Sequence, residues 1–393
     1  NNIYFPIINI FMKFGCPLPL NALFIRPDGE ISPCCVFYDV DKPKSINISN
    51  PNVFNDKYLE NLRDKCKKDE AHPGCTRCYQ EEKIANKSYR TDVLEPDIQD
   101  HLGTISLREH TDPYISFLDI AFSNLCNNKC RMCGPSLSTN WYTDAKKLEQ
   151  MVSKKDKSFP FDTYKGIVNN NFLDEGDFSR VQHIKFLGGE PLLEQDKMIS
   201  LIEKCDTKNL TIHLVTNATT IPNNKLIGIL KQCKSVSIAL SVDSYGKMND
   251  FLRKGSTWKN TTATIEWFNK NFNQLSIQSV ASIYNVNIVD RLMDYCIANK
   301  FDHRYSLLGG PNYMQIRNLP DQAKNSLKKK INNWLLKNKY KPYKVFFKLL
   351  QNEINQTGDI RKFHYMDSIM NKIRNEHWRA LNPELYKWIS SGS

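Results

Sequence analysis

The sequence is 393 residues long, with 40% hydrophobic and 24% charged residues, the balance of an ordinary folded protein rather than a disordered or fibrous chain. Its net charge of +12 is spread along the chain, with much of the excess after residue 320, which describes a solvated basic surface better than a concentrated nucleic-acid footprint. No apolar run reaches the roughly 18 residues that a membrane span needs, so the expected address is the cytoplasm, with no membrane partner.

In chain order, the apolar stretch 3–12 lacks a basic segment before it and a small-residue cleavage pattern after it, so it reads as an entry strand rather than a signal peptide. Residues 1–95 form a first unit, rich in turn formers, with six cysteines and one short helical candidate at 56–67. From 112 to 318, strand-like runs at 114–122, 181–187, 210–215, 235–242, 275–283 and 303–308 alternate with amphipathic stretches at 194–204, 224–233, 258–272 and 289–299. That alternation predicts an α/β fold with a parallel sheet and outer helices. Six βα units are too few to close an eight-stranded barrel. The expectation is a partial (βα)6 TIM-like barrel, open at one side, with ligands at the carboxyl ends of its strands. The polar segment 154–177 reads as an excursion. Residues 319–393 read as a helical C-terminal extension, whose aromatics at helical spacing form a packed face rather than a base-stacking platform.

The twelve cysteines have no use as a disulfide framework in a large chain without a secretion signal; clustered thiols there bind metal or do chemistry. Cys205, Cys233 and Cys296 stand alone in helical patterns and read as small buried hydrophobes. Cys126, Cys130 and Cys133 follow a strand with three and then two residues between them. Three thiolates on a short loop can hold a four-iron cluster by three corners and leave the fourth iron open. A structural zinc site wants four ligands, and no fourth Cys or His lies nearby.

This spacing resembles the signature of the radical S-adenosylmethionine (SAM) superfamily. Gly188-Gly189-Glu190-Pro191 after the second barrel strand is similar to the family's GGEP motif, Thr216-Asn217-Ala218 after the third to its Thr-Asn-Gly, and Ser241-Val242-Asp243 with Asn249, Phe251 and Arg253 to its ribose- and carboxylate-binding region. The resemblance implies that SAM sits on the open iron, with its methionyl ammonium at Gly188, Gly189 and Glu190. Asn217, Ser241, Asp243 and Arg253 complete the cofactor site, and the backbone of Met132 lies near adenine. In the first unit, Cys16, twelve residues, Gly29, four residues and Cys34 resemble the SPASM/twitch auxiliary-cluster pattern, completed by Cys75 and Cys78. Those four would close a second [4Fe–4S] cluster, although such modules usually follow the barrel. Cys35 competes with Cys34 for the ligand position, Cys66 is unassigned, and a structural zinc knuckle is the rival reading. Met366-Asp367, Arg374 and Pro383-Glu384-Leu385-Tyr386 resemble the tail of twitch-domain radical SAM proteins.

The activity implied is reductive cleavage of SAM to a 5′-deoxyadenosyl radical and oxidative modification of a peptide or protein side chain, or of a small molecule. A ferredoxin or flavodoxin would be the reductant. Tyr245, Tyr284, Asn285, Tyr313 and Arg317, at or after strand ends, are the substrate-facing candidates. Two rivals stand beside this: a nucleotide- or RNA-modifying radical SAM enzyme, and a zinc-stabilised nucleic-acid-binding protein.

Overall fold

The computed structural model describes residues 14–43, 55–94, 115–152 and 176–390. The stretch 3–12, and all but the last two residues of the segment 154–177, lie outside these. Eight strands form one sheet in the order β2-β1-β3-β4-β5-β6-β7-β8: β1 Ala22–Ile25, β2 Ile31–Ser32, β3 Phe117–Ala121, β4 His183–Leu187, β5 Thr211–Thr216, β6 Ser235–Ser241, β7 Gln274–Ala281 and β8 Asp302–Leu307. All neighbours are parallel except the β1/β2 hairpin. β3 to β8 are the six expected strands, and the sheet does not close into a barrel. Two strands come from the first unit, so the sheet runs on across the boundary that the sequence suggested near residue 95. The signal was weak because β1 is four residues long and buried throughout, with no alternation to betray it.

The strands of the barrel read in period two. Leu118, Ile120, Ile184, Phe186, Ile212, Leu214, Ile238 and Leu240 are fully buried and share one core with helix residues such as Leu148, Ile199, Ile202 and Leu230. The alternate positions point to the inner face. Register aligns Asp119 with Lys185, Lys185 with His213 and His213 with Ser237, so the inner face carries a polar row where the outer face is apolar.

The C-terminal extension packs onto the rest. The helix Lys344–Ile354 lies against β8 and also meets Thr76–Ala85 of the first unit. The helix Ile360–Arg374 packs along Tyr142–Met151. Buried Asp367 there accepts hydrogen bonds from Tyr284 Oη at 2.6 Å and Trp378 Nε1 at 3.0 Å. Among the described residues, no helix is long and apolar enough to cross a membrane.

Phe186 is fully buried at the centre of the core. Phe186→Ala removes most of a ring that cannot be replaced by collapse of a sheet, and should cost about 3–5 kcal/mol, read as a lowered midpoint in chemical denaturation.

Candidate metal centres

Cys126, Cys130 and Cys133 lie on the loop that follows β3, and backbone bonds pin that loop from three sides. From β4, the Gly189 N–H donates to Ser123 O at 3.2 Å and the Glu190 N–H to Leu125 O at 2.8 Å. From the segment after Lys247–Leu252, Leu252 O and Lys254 O accept from the Arg131 and Lys129 N–H groups, each at 2.7 Å. From the helical side, Trp141 Nε1 donates to Cys130 O at 2.9 Å and Ser138 Oγ to Asn128 O at 2.5 Å. The glycines of the GGEP segment are explained here. A Cβ on Gly189 would stand 2.2 Å from Leu125 O, and Gly188 holds φ at +118° with Ala121 Cβ 2.8 Å from its own would-be Cβ. Their neighbour is the cysteine loop itself. The absent Cβ atoms thus serve close packing on the cysteine loop and the end of β3.

Cys130 and Cys133 are hydrogen-bonded to each other, with Cys126 close by. This hydrogen bond lowers the Cys130 pKa and raises that of Cys133, and the nearby Arg253 guanidinium favours the thiolate at both. Burial raises Cys126, while Asn217 Nδ2 reaches its sulfur at 3.8 Å. Asn217 also holds Asn127 of the loop at 2.8 Å. Glu190, 1% exposed, accepts from Thr216 Oγ1 and the Asn217 N–H, both at 2.7 Å, and from the Leu192 N–H at 3.1 Å. It ties the ends of β4 and β5 together. Asp243 accepts from the Val280 N–H and pairs with Arg253 at 2.8 Å. Arg253 Nε and Asn249 Nδ2 are buried donors with no partner among the described residues. Ser241 ends β6, and half-buried Met132 packs on the core. The open iron and unspent donors that a SAM-loaded cluster requires are thus compatible with the residues present.

The second set lies at the other end of β3. Cys16, Cys34, Cys75 and Cys78 line one small cavity with Phe37, Tyr89 and Arg90. Gly29 has φ +79° in the tight turn joining β1 to β2, where its N–H donates to Arg26 O. That turn brings Cys34 back beside Cys16, which is why the motif needs a glycine at that spacing. Burial pushes the Cys16 and Cys34 thiols well above their usual range, and Cys75 up to about 12. These thiols stay protonated until a metal displaces the protons. Arg90, bonded to Gly15 O at 2.8 Å and paired with Glu82, places a cation at the cavity wall. Cys35 and Cys66 do not line it. Cys66 is buried beside Cys16. Cys35 points to the inner face of the sheet, 3.7 Å from Lys185 Nζ, so Cys34 and Cys35 part company. Among the described residues, no three His, Cys, Asp or Glu side chains close on a single-ion site.

Between the two sets lies the polar row. Asp119 is 1% exposed, Lys185 Nζ stands 3.9 Å from it and 5.5 Å over the Tyr89 ring, and the Cys35 thiol lies beside its carboxyl. His213 Nδ1 is 2.7 Å from Ser237 Oγ. Sequence reading missed these residues. The available signal was a charged or ionisable side chain at the middle of three successive runs, FLDIA, HIKFL and TIHLV, with His183 as a second one at the start of HIKFL. The substrate-facing candidates fare differently. Tyr284 and Asn285 are buried and committed: Tyr284 to Asp367, Asn285 Nδ2 to Asp243 O at 2.7 Å and Val280 O at 2.9 Å. Tyr313 is buried, and Arg317 pairs with Glu353 and Gln356. Tyr284 and Arg317 tie the extension to the barrel, while Asn285 braces the ends of β6 and β7. Tyr245 alone is well exposed, in a ring cluster with Trp258 and Tyr295.

Residues 120–296 match the radical SAM superfamily, and residues 16–79 match an iron–sulfur cluster-binding domain, SPASM. The chain thus carries a radical SAM domain preceded by an iron–sulfur cluster-binding domain of the SPASM type. Its cofactors are accordingly SAM and a [4Fe–4S] cluster in the radical SAM domain, with further iron–sulfur in the SPASM domain, here placed ahead of the barrel. No curated protein matches the chain. Similar solved structures include native anSMEcpe with bound AdoMet (21% identity over 56% of this chain and 61% of that one, TM-score 0.37) and the same protein with AdoMet and Cp18Cys peptide (21%, 56% and 59%, 0.37). Streptococcus suis SuiB is another (18%, 80% and 68%, 0.37). The chain spans about three fifths of the length of the anSMEcpe structures.

Gly189→Ala should destabilise the fold by about 1–3 kcal/mol, since the clash is with backbone that cannot swing away; a thermal melt unchanged from wild type would refute the packing role. A pH effect follows from His213. Burial, with Lys185 and Arg304 adding to it, lowers its pKa to about 3 against roughly 6.5 unfolded. Between those values the unfolded chain binds more protons, so stability is complete above about 6.5 and falls as pH drops below it. His213→Gln should flatten that slope between pH 7 and 5 in denaturation midpoints, with His303, lowered to about 4 by burial, supplying the remainder.

Proposed function

We propose that this enzyme oxidises a peptide or protein side chain, or a small molecule, bound at the polar inner face of the sheet between two [4Fe–4S] clusters. Cys126, Cys130 and Cys133 hold the cluster that carries SAM, and Cys16, Cys34, Cys75 and Cys78 close the other. The observation that carries this reading is the division of the cysteines into three on one pinned loop and four around one cavity. SAM on its reduced cluster supplies a 5′-deoxyadenosyl radical for hydrogen abstraction.

The chain's own residues do the rest. Gly189 fixes the loop so that the three thiols keep their places, Glu190 spends three bonds on Thr216, Asn217 and Leu192 and offers its remaining acceptor capacity to the methionyl ammonium, and Asn217 donates to the Cys126 sulfur. Arg253, held by Asp243, offers its free Nε to the methionyl carboxylate. Asp119, beside Cys35 and Lys185, presents its carboxyl group on the inner face, where it would accept an N–H or a proton from substrate, and Lys185 balances its charge. A cluster held by Cys16, Cys34, Cys75 and Cys78 would have no open iron and would supply an acceptor for the electron that substrate oxidation releases, with a ferredoxin- or flavodoxin-type protein as the external reductant. Domain limits of 1–95, 112–318 and 319–393 serve as working boundaries for these roles, although β1 lies within the same sheet as β3.

Reconstituted protein should hold about eight irons per chain, and Ala at Cys126, Cys130 and Cys133 together should remove about half. Stoichiometric zinc in place of iron would defeat the proposal. With dithionite and SAM, the wild type should release 5′-deoxyadenosine slowly without substrate. Glu190→Gln and Arg253→Ala should each weaken SAM binding about 10- to 100-fold, the worth of one charge-assisted hydrogen bond, with iron retained. Equal SAM affinity in either variant would remove that residue from the cofactor site.

A further inference from the structure

Arg374 is the last residue of the helix Ile360–Arg374, far in sequence from the cysteine loop and assigned no role by the reading above. Its side chain is fully buried. Nε donates to Asp144 at 2.7 Å, and the guanidinium lies 4.4 Å over the Trp141 ring. That same Trp141 holds the Cys130 carbonyl. Neither Nη1 nor Nη2 has a partner among the described residues. A buried guanidinium with both outer nitrogens unbonded costs several kcal/mol unless an anion receives them.

The surrounding carboxylates do not meet that need. Asp144 spends its other oxygen on Lys129 at 3.0 Å. Glu376 is taken by Arg131 at 2.8 Å and Lys254 at 2.7 Å, and Asp367 by Tyr284 and Trp378. Positive charge is therefore in excess behind the loop. The thiolates of Cys126, Cys130 and Cys133, with the cluster they hold, are the negative charge that the neighbourhood lacks.

We propose that Arg374 is a positioning residue for the SAM cluster, turning its outer nitrogens toward the thiolate and cluster side of Cys130 and raising the cluster's reduction potential. This rests on the assignment of a cluster to Cys126, Cys130 and Cys133. A cation beside a cluster favours its reduced, more negative state, and hydrogen bonds to the sulfurs act in the same direction. Asp144 tempers the effect, because its carboxylate offsets the charge of Arg374. The C-terminal extension thereby helps determine how readily the cluster accepts the electron that starts the reaction.

The test is an EPR-monitored redox titration of the reconstituted holoenzyme without SAM, with iron counted in each variant. Arg374→Gln should lower the midpoint of the SAM cluster, Asp144→Asn should raise it, and Arg374→Lys should fall between wild type and Arg374→Gln. The auxiliary cluster should hold its midpoint in all three. A purely structural role would move Arg374→Gln and Asp144→Asn the same way or simply lose iron from both, and either result overturns the proposal. So does an unchanged midpoint in iron-replete Arg374→Gln, or a shift seen only once SAM is added. Where Arg374→Gln fails to load, Asp144→Asn decides alone, and a lowered or unmoved midpoint rejects the idea. The underlying assignment fails separately, if Ala at all three loop cysteines leaves the iron count unaltered.

Discussion

The loop from Ser123 to Cys133 has almost no regular structure of its own, yet the rest of the molecule is arranged to hold it. Its carbonyls and N–H groups are answered by backbone from β4 and from the 252–254 segment, and by Trp141 and Ser138 at the start of the following helix. A loop that must present three thiols to one cluster cannot rely on hydrophobic burial, which is non-directional. Hydrogen bonds at fixed distances supply the direction that burial lacks, and in this dry setting each also avoids the cost of an orphaned polar group. The two glycines of the GGEP segment let β4 come close enough to make those bonds.

The same demand explains why the C-terminal extension exists where it does. Arg131 sits between two of the loop cysteines, buried, with its guanidinium 4.3 Å over Phe251 and bonded to Asn371 and Glu376. Arg374 approaches from the same helix through Asp144 and Trp141. A barrel of six strands leaves its loops less supported than a closed one, and the tail fills that gap with directed contacts. The buried polar residues after 360 are thus tied to the loop in a way that composition alone does not reveal.

Much of this was legible from sequence because the physics is local. A thiol spacing, a strand of alternating apolar residues and a helix of period 3.6 can each be read in one window, and the six barrel strands and the four long helical patterns were found that way. Contacts between windows were not legible. Nothing adjacent to Tyr284 says that its hydroxyl is spent on Asp367, 83 positions away, so its place after a strand suggested a substrate contact. Likewise Cys34 and Cys35 are equivalent in sequence and separate only when the hairpin turn at Gly29 sets which one faces the cavity. Ala218 is an instructive middle case. It departs from the family's glycine and adopts φ +59°, an accommodation costing a residue with a Cβ about 1–2 kcal/mol, which the surrounding buried loop sustains.

The polar row on the inner face gains its meaning from where the two cysteine sets lie. Phe117, at the start of β3, packs in the cluster of Cys16, Cys66 and Val93, while the loop of Cys126 leaves the other end. Four residue steps separate Phe117 from Ala121, about 13 Å at the rise of a parallel strand, and Asp119 stands midway. An uncompensated carboxylate at such a place would be expelled or neutralised in an ordinary core. Here Lys185 stands 3.9 Å away and the Cys35 thiol lies beside the carboxyl. A fold selected for stability alone would have filled that position with an aliphatic residue, as on the opposite face of the same strand with Leu118 and Ile120. The retention of charge at the midpoint between the two cysteine sets is what a site that must orient a polar group and receive its proton would require.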